Sequence, residues 1–244
     1  MERYKFEKSL KDKLFNFNIN LTQSEIDLFY TYYEILVFWN KKFNLTAIED
    51  EQEIILKHFV DSLILKLTIE NEELEKVIDI GTGAGFPGVP LKIINQNWKL
   101  TLLEAQKKKV EFLKELIKEL NLKDVEILWD RAENLGRMRG FRENFDLVLA
   151  RGVAKPEIVL EYAVPFVKIN KIYLAQTTPK SIDHWKEVSK ISEMLGAKWE
   201  KEYYFSFDDN NRAVIKFRKI RSTPEKYPRK PGIPEKRPLD PSKL

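Results

Sequence analysis

Two textures of hydrophobic patterning divide the chain. Up to about residue 70, apolar positions recur at helical spacing. Thr22 and Glu25 form a capping-box pattern ahead of Ile26, Phe29, Tyr33 and Val37, in "SEIDLFYTYYEILVFWNKKFN". The segment "EDEQEIILKHFVDSLILKL" repeats the pattern with Ile54, Ile55, Phe59, Leu63 and Leu67, which predicts a second amphipathic helix. From Lys76 onward, short runs rich in Val, Ile and Leu alternate with helical patterns. "KVIDI" precedes "LKIIN", and "KLTLLE" precedes "KKVEFLKELIKELN". "VEILWD" follows, then "FDLVLA" before "PEIVLEYAVPF", and "KIYLAQ" before "SIDHWKEVSKISEML". Strands that alternate with helices predict a doubly wound, mostly parallel α/β sheet with right-handed crossovers. The last two apolar runs, "KWEKEYYFSF" and "RAVIKFRK", have no helix between them and read as an antiparallel edge hairpin, for seven strands in all. This organisation predicts an N-terminal helical extension over 1–70, an α/β domain over 71–220 and a C-terminal segment over 221–244. That last segment, "STPEKYPRKPGIPEKRPLDPSKL", carries six prolines, too many for a helix or a central strand, and is read as a tail or a docked extended arm.

Composition narrows the chemistry. With 43% hydrophobic and 33% charged residues over 244 positions, the chain has the makeup of a globular protein rather than a disordered one. The absence of cysteine excludes disulfides, thiolate metal sites and a Cys nucleophile. No run approaches the roughly 18 apolar residues of a membrane span, and a cytoplasmic protein without membrane contact is expected. The net charge is +4, but residues 216–244 hold ten Lys/Arg against three Asp/Glu, so +7 lies there and −3 in the rest. A basic tail fits either a nucleic-acid contact or a solvated end.

The stretch "VIDIGTGAGFPGVPL" carries the most specific signal. An apolar strand ends in Asp79. Gly81, Gly83 and Gly85 follow at every second position, then Phe86, Pro87 and Gly88. Glycine there permits positive φ and close ligand approach, and the helix that follows offers free N–H groups to anions. A nucleoside-triphosphate P-loop is excluded, because Pro-Gly-Val stands where Gly-Lys-Ser/Thr is required. The dinucleotide fingerprint fits poorly, since its third glycine would be Phe86 when counted from Gly81. Asp-x-Gly-x-Gly-x-Gly instead matches the first motif of class I S-adenosylmethionine (SAM) methyltransferases. Glu104 closes the next strand, where a carboxylate can accept ribose hydroxyls; NAD enzymes place an acid there too, so it marks a nucleoside only. Asp130, Ala132 and Glu133 in "WDRAENL" are expected at the same edge, beside an adenine. Each acid could also be a helix cap, and the glycines a bare turn.

Together "FNLTAIEDEQEIILKHFVDSL", "VIDIGTGAGFPGVPLKI", "TLLEAQKKKVEFLKEL", "RAENL" and "FDLVLARGVA" resemble the RsmG (GidB) family, the bacterial 16S ribosomal RNA guanine-N7 methyltransferases. The resemblance runs from about Trp39 to Pro165 and more loosely into "YPRKPGIPEKRPL". It implies a class I SAM-methyltransferase, Rossmann-like fold. Gly81 and Phe86 would line SAM, Glu104, Ala105 and Gln106 would hold its ribose, and Ala132 and Glu133 would face its adenine. Arg151 would contact the cofactor near the methyl donor, where a guanidinium could clamp a carboxylate bidentately; the competing reading is a surface ion pair. His58, Asp61 and Ser62 share a helix face with i, i+3, i+4 spacing and are read as a brace under the cofactor loop. The sequence departs from the family after the fifth strand, where Gln176 and Thr177 replace the usual Lys-Gly, with Lys180 nearby.

The expected substrate is 16S ribosomal RNA or the small ribosomal subunit, met by a monomer. RNA contacts are expected from the tail, from Arg137, Arg139 and Arg142, and from Lys107 to Lys109. Removing the tail is then expected to spare SAM binding. Guanine N7 carries a lone pair, so methyl transfer to it needs no general base, which suits a chain with two histidines. The alternatives are a small-molecule SAM-dependent methyltransferase and a NAD-dependent oxidoreductase.

Overall fold

The computed structural model describes residues 1–207 and 211–243; the last residue of the C-terminal segment, 244, lies outside them. Two N-terminal helices, α1 (Arg3–Phe15) and α2 (Gln23–Phe43), lead in. Helix α2 starts at the expected capping box, with the Thr22 and Glu25 side chains each bonded to the other's backbone N–H. Its fully buried face is centred on Phe29, Tyr32 and Leu36, whereas Val37 is only half-buried.

The second expected amphipathic helix is not regular. A short α3 (Glu51–Ile54) passes into a π-helical stretch over Ile55–Val60, a short α4 (Asp61–Leu63) and a 3₁₀ segment over Ile64–Thr68. His58 and Asp61, which lie outside the expected apolar stripe, are nonetheless buried together with Phe59, Val60, Ser62 and Leu63. Leu67 is only partly covered.

The α/β region follows the predicted alternation: β1 (Lys76–Ile80), α5 (Gly88–Ile94), β2 (Lys99–Glu104), α6 (Lys107–Glu119), β3 (Val125–Trp129), α7 (Ala132–Leu135), β4 (Phe145–Arg151), α8 (Pro156–Ala163) and β5 (Val167–Thr177). The predicted helix over 181–195 is split at Val188 into α9 (Ile182–Glu187) and α10 (Ser189–Met194). The pair β6 (Ala197–Phe205) and β7 (Arg212–Lys219) then runs antiparallel. The seven strands lie in the order β3-β2-β1-β4-β5-β7-β6, with β7 inserted antiparallel beside β5.

The near-continuous apolar strands have a simple cause, since both faces of the sheet are covered. Val77, Leu100, Leu102, Leu147 and Leu149 point into one core, shared with Phe6, Leu10, Phe29, Tyr32, Phe59, Phe112 and Leu113 of the N-terminal helices and α6. Ile78, Ile80, Leu103, Val148 and Ala150 point into the other, built with α8, α9 and α10. Register aligns the carboxyl ends of the parallel strands: Ile80 opposes Leu103 and Ala150, and Arg151 opposes Gln176. Chemistry-bearing side chains therefore collect along one sheet edge, beside the point where strand order reverses.

The C-terminal segment is a docked arm rather than a solvated tail. Tyr227 is buried in the second core, and Pro228 packs so closely on Gly136 that a Cβ there would lie 3.0 Å from the proline ring. A short helix, α11 (Ile233–Lys236), follows. Arg137 donates to the Pro228 carbonyl at 2.7 Å, and Arg142 to the Tyr227 and Thr223 carbonyls at 2.7 and 2.6 Å. Two of the three arginines expected to grip RNA are thus engaged with the chain's own arm, because free carbonyls of a Pro-rich segment without a ladder need donors. Arg139 stays exposed.

Candidate functional site

The glycine loop after β1 is held from below by a buried carboxylate. Asp79 Oδ2 accepts from Thr82 Oγ1 at 2.7 Å and from the Gly88 N–H at 2.9 Å, while Oδ1 has no protein partner. Gly88 is required for this approach, since a Cβ would sit 2.8 Å from Asp79 Oδ2. Burial pushes the Asp79 carboxyl up to about 7 against the smaller pull of its two hydrogen bonds.

From the side, the N-terminal helices brace the same loop. The Tyr32 hydroxyl donates to the Ala84 carbonyl, and its ring stacks on Phe86 with centroids 5.0 Å apart. His58 stacks on the opposite side of Phe86 at 4.5 Å. Phe86 is therefore a sandwiched strut, 4% exposed, and does not line the cleft above the loop as expected for a cofactor contact. The motif reading missed this because a loop Phe beside glycines gives no sign of two aromatic partners brought in from α2 and the π-helical stretch.

Above the loop lies a cleft of about 400 Å³, a size suited to a small ligand. It is lined by Gly81, Glu104, Ala105, Gln106, Ala132 and Glu133, six of the eight residues predicted to meet the cofactor, and also by Asp130. Gly81 takes φ +62°, so its backbone can face the cleft without a side chain in the way. Glu104 is 5% exposed. Its Oε2 accepts from the Gly83 N–H at 2.9 Å and its Oε1 from the Gln106 N–H at 2.8 Å, so the carboxylate ties the glycine loop to the start of α6. Each oxygen keeps a second lone pair for a further donor. Glu133 is 2% exposed and accepts from the Gly232 N–H of the C-terminal arm at 3.0 Å. Tyr162 and Glu235 complete the wall. Neither was singled out in the sequence, because both reach the cleft only once α8 and the arm are folded over it.

A second cleft, of about 500 Å³, opens beside the first, and Gly152 lines both. Arg151 belongs to this second cleft. Its Nη1 donates to Asp61 Oδ2 and to the Lys57 carbonyl, both at 3.1 Å, and its guanidinium lies 5.3 Å over the Phe86 ring. It is neither a surface ion pair nor a lining residue of the cofactor-sized cleft. Arg212 Nε donates to Asp61 Oδ1 at 2.9 Å, and Gln176 Nε2 to the same oxygen at 3.2 Å. One buried carboxylate thus ties β4, β5 and β7 to the π-helical lead-in. Arg212 opens its strand with no local cue to this role. Burial still raises the Asp61 carboxyl, against the pull of Arg151 and Arg212.

His58 has both ring nitrogens engaged, Nε2 with Thr46 Oγ1 at 3.0 Å and Nδ1 facing Arg151 Nη2 at 3.3 Å. Burial, and then the Arg151 charge, lower its pKa to about 3, so the ring is neutral at physiological pH. Ser62 donates to the His58 carbonyl at 2.6 Å, within its own helix. At the position of the missing Lys-Gly, Gln176 Oε1 is buried without a partner and Thr177 accepts from Trp185 Nε1 at 3.2 Å. Lys180 is exposed outside the lining. Among the described residues no group of three His, Cys, Asp or Glu is placed to hold a metal ion.

Strand order, the antiparallel β7 and a nucleoside-sized cleft at the reversal point define a class I SAM-methyltransferase fold; dinucleotide oxidoreductases instead continue their sheet in the order 3-2-1-4-5-6. Solved structures agree on the fold. A SAM-dependent methyltransferase from Aquifex aeolicus superposes with a TM-score of 0.53 at 19% identity, covering 71% of this chain and 96% of that one. TYW2 of M. jannaschii, solved in complex with AdoMet, gives 0.53 at 19% identity over 71% and 80%. The sequence model of the GidB family, rRNA small subunit methyltransferase G, matches residues 25–214, and the chain belongs to that family. Among its relatives, the ribosomal RNA small subunit methyltransferase G of Dictyoglomus thermophilum is 57% identical, over 97% of this chain and 98% of its own. The protein of that name in Acetivibrio thermocellus is 44% identical over 96% and 97%.

Proposed function

We propose that this protein transfers a methyl group from S-adenosylmethionine to N7 of a guanine in small-subunit (16S) ribosomal RNA. Family membership supports the RNA substrate, and the cleft chemistry supports N7. The observation that carries the atom choice is the state of the second cleft's buried titratable groups. His58 is neutral with both nitrogens occupied, and both Asp61 oxygens are engaged, Oδ2 by Arg151 and Oδ1 by Arg212 and Gln176. His184, at the rim, lies 3.2 Å from Glu157. A cleft without a disengaged base suits a nucleophile that brings its own lone pair, as guanine N7 does.

The first cleft fits the cofactor. Gly81 leaves room for it, and Glu104 has lone pairs directed past its two backbone donors for ribose hydroxyls. Ala132 offers a small apolar wall beside the buried Glu133, and Asp79 holds the loop from below through Thr82 and the Gly88 N–H. Bound there, SAM supplies an electrophilic methyl group. The chain's own residues orient and exclude: Phe86 holds the loop rigid between Tyr32 and His58, and Arg151 fixes the boundary between the clefts.

Methyl-labelled SAM offered with naked small-subunit RNA, assembled small subunits and a small-molecule extract tests the reading. Label recovered as 7-methylguanosine from the small-subunit RNA is expected. Label on cytosine, adenine, ribose or a small molecule would overturn it.

A further inference from the structure

Away from both clefts' interiors, three large aromatic side chains stand in solvent with lysines over them. Phe38 is 53% exposed, Phe43 41% and Trp129 59%. Lys42 Nζ lies 3.8 Å from the Phe38 ring centre, Lys108 Nζ 5.4 Å from that of Phe43 and Lys107 Nζ 5.9 Å from that of Trp129. Lys107 and Lys108 are consecutive in the first turn of α6, and Lys42 precedes Phe43 at the end of α2. Trp39 packs on Phe43 at 5.1 Å and on Phe112 of α6 at 5.8 Å, which joins the end of α2 to the face of α6. Trp129 donates from Nε1 to the carbonyl of Ala105, a lining residue of the cofactor-sized cleft, at 3.0 Å. Among the described residues, Lys42, Lys107 and Lys108 have no carboxylate within ion-pairing distance, whereas Lys11, Lys57 and Lys99 are paired at 2.7, 2.6 and 2.6 Å.

Folding alone gives no reason for this arrangement. The buried face of α6 needs only Val110, Phe112, Leu113 and Leu116. Its first turn is Lys107-Lys108-Lys109 with no acid, so three like charges sit at the positive end of the helix dipole, where carboxylates are favoured. Cations there deepen a positive field instead of neutralising it. Exposed flat rings interleaved with unpaired cations match what single-stranded nucleic acid presents, bases with π-faces and a phosphate at every step. A regular duplex keeps its bases stacked and unavailable to such rings.

We propose that the strip formed by Phe38, Lys42, Phe43, Lys107, Lys108 and Trp129 is a docking surface for unpaired RNA, holding substrate strands next to the cofactor cleft. The proposal rests on the reading of ribosomal RNA as substrate. It assigns RNA contact to the α2–α6 face rather than to the arm and the arginines it occupies.

Binding measured without methyl donor tests it. The probes are a labelled single-stranded RNA oligonucleotide, the same oligonucleotide in duplex form, naked small-subunit RNA and the assembled small subunit, each titrated at several salt concentrations. The triple variant Lys42→Glu, Lys107→Glu, Lys108→Glu is expected to lose about tenfold or more in affinity for single strands and to flatten the log–log salt slope by about 2 units, for three lost phosphate contacts at about 0.7 each. Its melting temperature should change little, since acids suit the start of α6 while Lys42→Glu places one in the last turn of α2, where a cation is favoured. Phe38→Ala with Phe43→Ala should weaken single-strand binding about fivefold or more, with little change in salt slope or in duplex binding. A SAM-induced melting shift retained in these variants shows that the fold and the cofactor cleft are intact. Wild-type affinity and slope in both variants would overturn the proposal. So would a loss confined to the assembled subunit with naked RNA unaffected, which would assign the strip to a protein partner. If the wild-type enzyme methylates no small-subunit RNA, the proposed reaction falls, and the oligonucleotide titrations still decide the strip.

Discussion

Asp79 concentrates the energetics of the site in one atom pair. One oxygen organises the glycine loop, and the other has no protein partner. Its folded pKa of about 7 lies above the ordinary 3.8, so between those values the folded chain holds a proton that the unfolded chain has lost. Stability from this group therefore falls as pH rises from about 4 to about 7 and is level above. Asp79→Asn keeps the shape and removes the titration. Relative to wild type, the variant should gain stability as pH rises from 5 to 8, read as urea midpoints at both values. A difference that stays constant with pH would show that Asp79 ionises normally. His58 runs the other way, because its folded pKa of about 3 means that the unfolded state takes up the proton first, and its contribution is lost as pH falls below about 6.5. Glu104 gives a second test. Glu104→Ala should weaken SAM by about 1.5–3 kcal/mol through lost charge-assisted bonds, and it also frees the Gly83 and Gln106 N–H groups. An unchanged calorimetric Kd would reduce Glu104 to a loop tie. Asp79, Glu104 and the glycines of this site were legible because they lie at the ends of strands and in the turn that follows, where local patterning is strongest. Phe86 was legible as a loop residue, but its place between two rings was not, since only tertiary structure supplies Tyr32 and His58.

At the scale of elements, local and distant determinants separate cleanly. The capping box of α2 lies within four residues and is plain in the sequence. The inner strands β1, β2 and β4 are plain too, because burial on both faces makes them continuous apolar runs. The π-helical stretch over Ile55–Val60 is hidden, as its residues suit an α-helix and nothing local marks the change of pitch. Docking of the arm is hidden for the same reason: Arg229 meets Glu161 across 68 positions and Gly232 meets Glu133 across 99. Arg229 binds Glu161 through Nε and Nη2 at 2.7–3.1 Å, and its backbone N–H adds a third donor at 2.7 Å; Glu161 is fully buried. Arg229→Ala leaves that carboxylate buried and largely unpaired, and should cost about 3–5 kcal/mol in chemical denaturation. A loss under 1 kcal/mol would mean that the arm docks through Tyr227 and its neighbours alone. Because Glu235 and the Gly232 contact belong to the wall of the first cleft, loosening the arm should also weaken SAM, contrary to what a detached tail would predict.

Across the whole molecule, the boundary near residue 70 marks a change in sequence texture, yet one core spans it. Phe6, Leu10 and Leu14 of α1 belong with Val77, Leu102 and Ile172 of the sheet. A chain lacking residues 1–50 should therefore lose cooperative melting, as it uncovers a sheet face and removes Tyr32 from the glycine loop; calorimetry showing a single sharp transition would contradict this. The arm has a further consequence, in time rather than in energy. It crosses the molecule to complete the cleft wall, and it displays Lys226 to solvent while the next two residues, Tyr227 and Pro228, are buried. Trypsin can cut after Lys226 only while the arm is lifted, so the rate of nicking there reports what fraction of the time the wall stands open. A ligand that bridges the wall should slow that nicking in proportion to its occupancy, and the digestion pattern of the intact chain would then report cofactor residence directly.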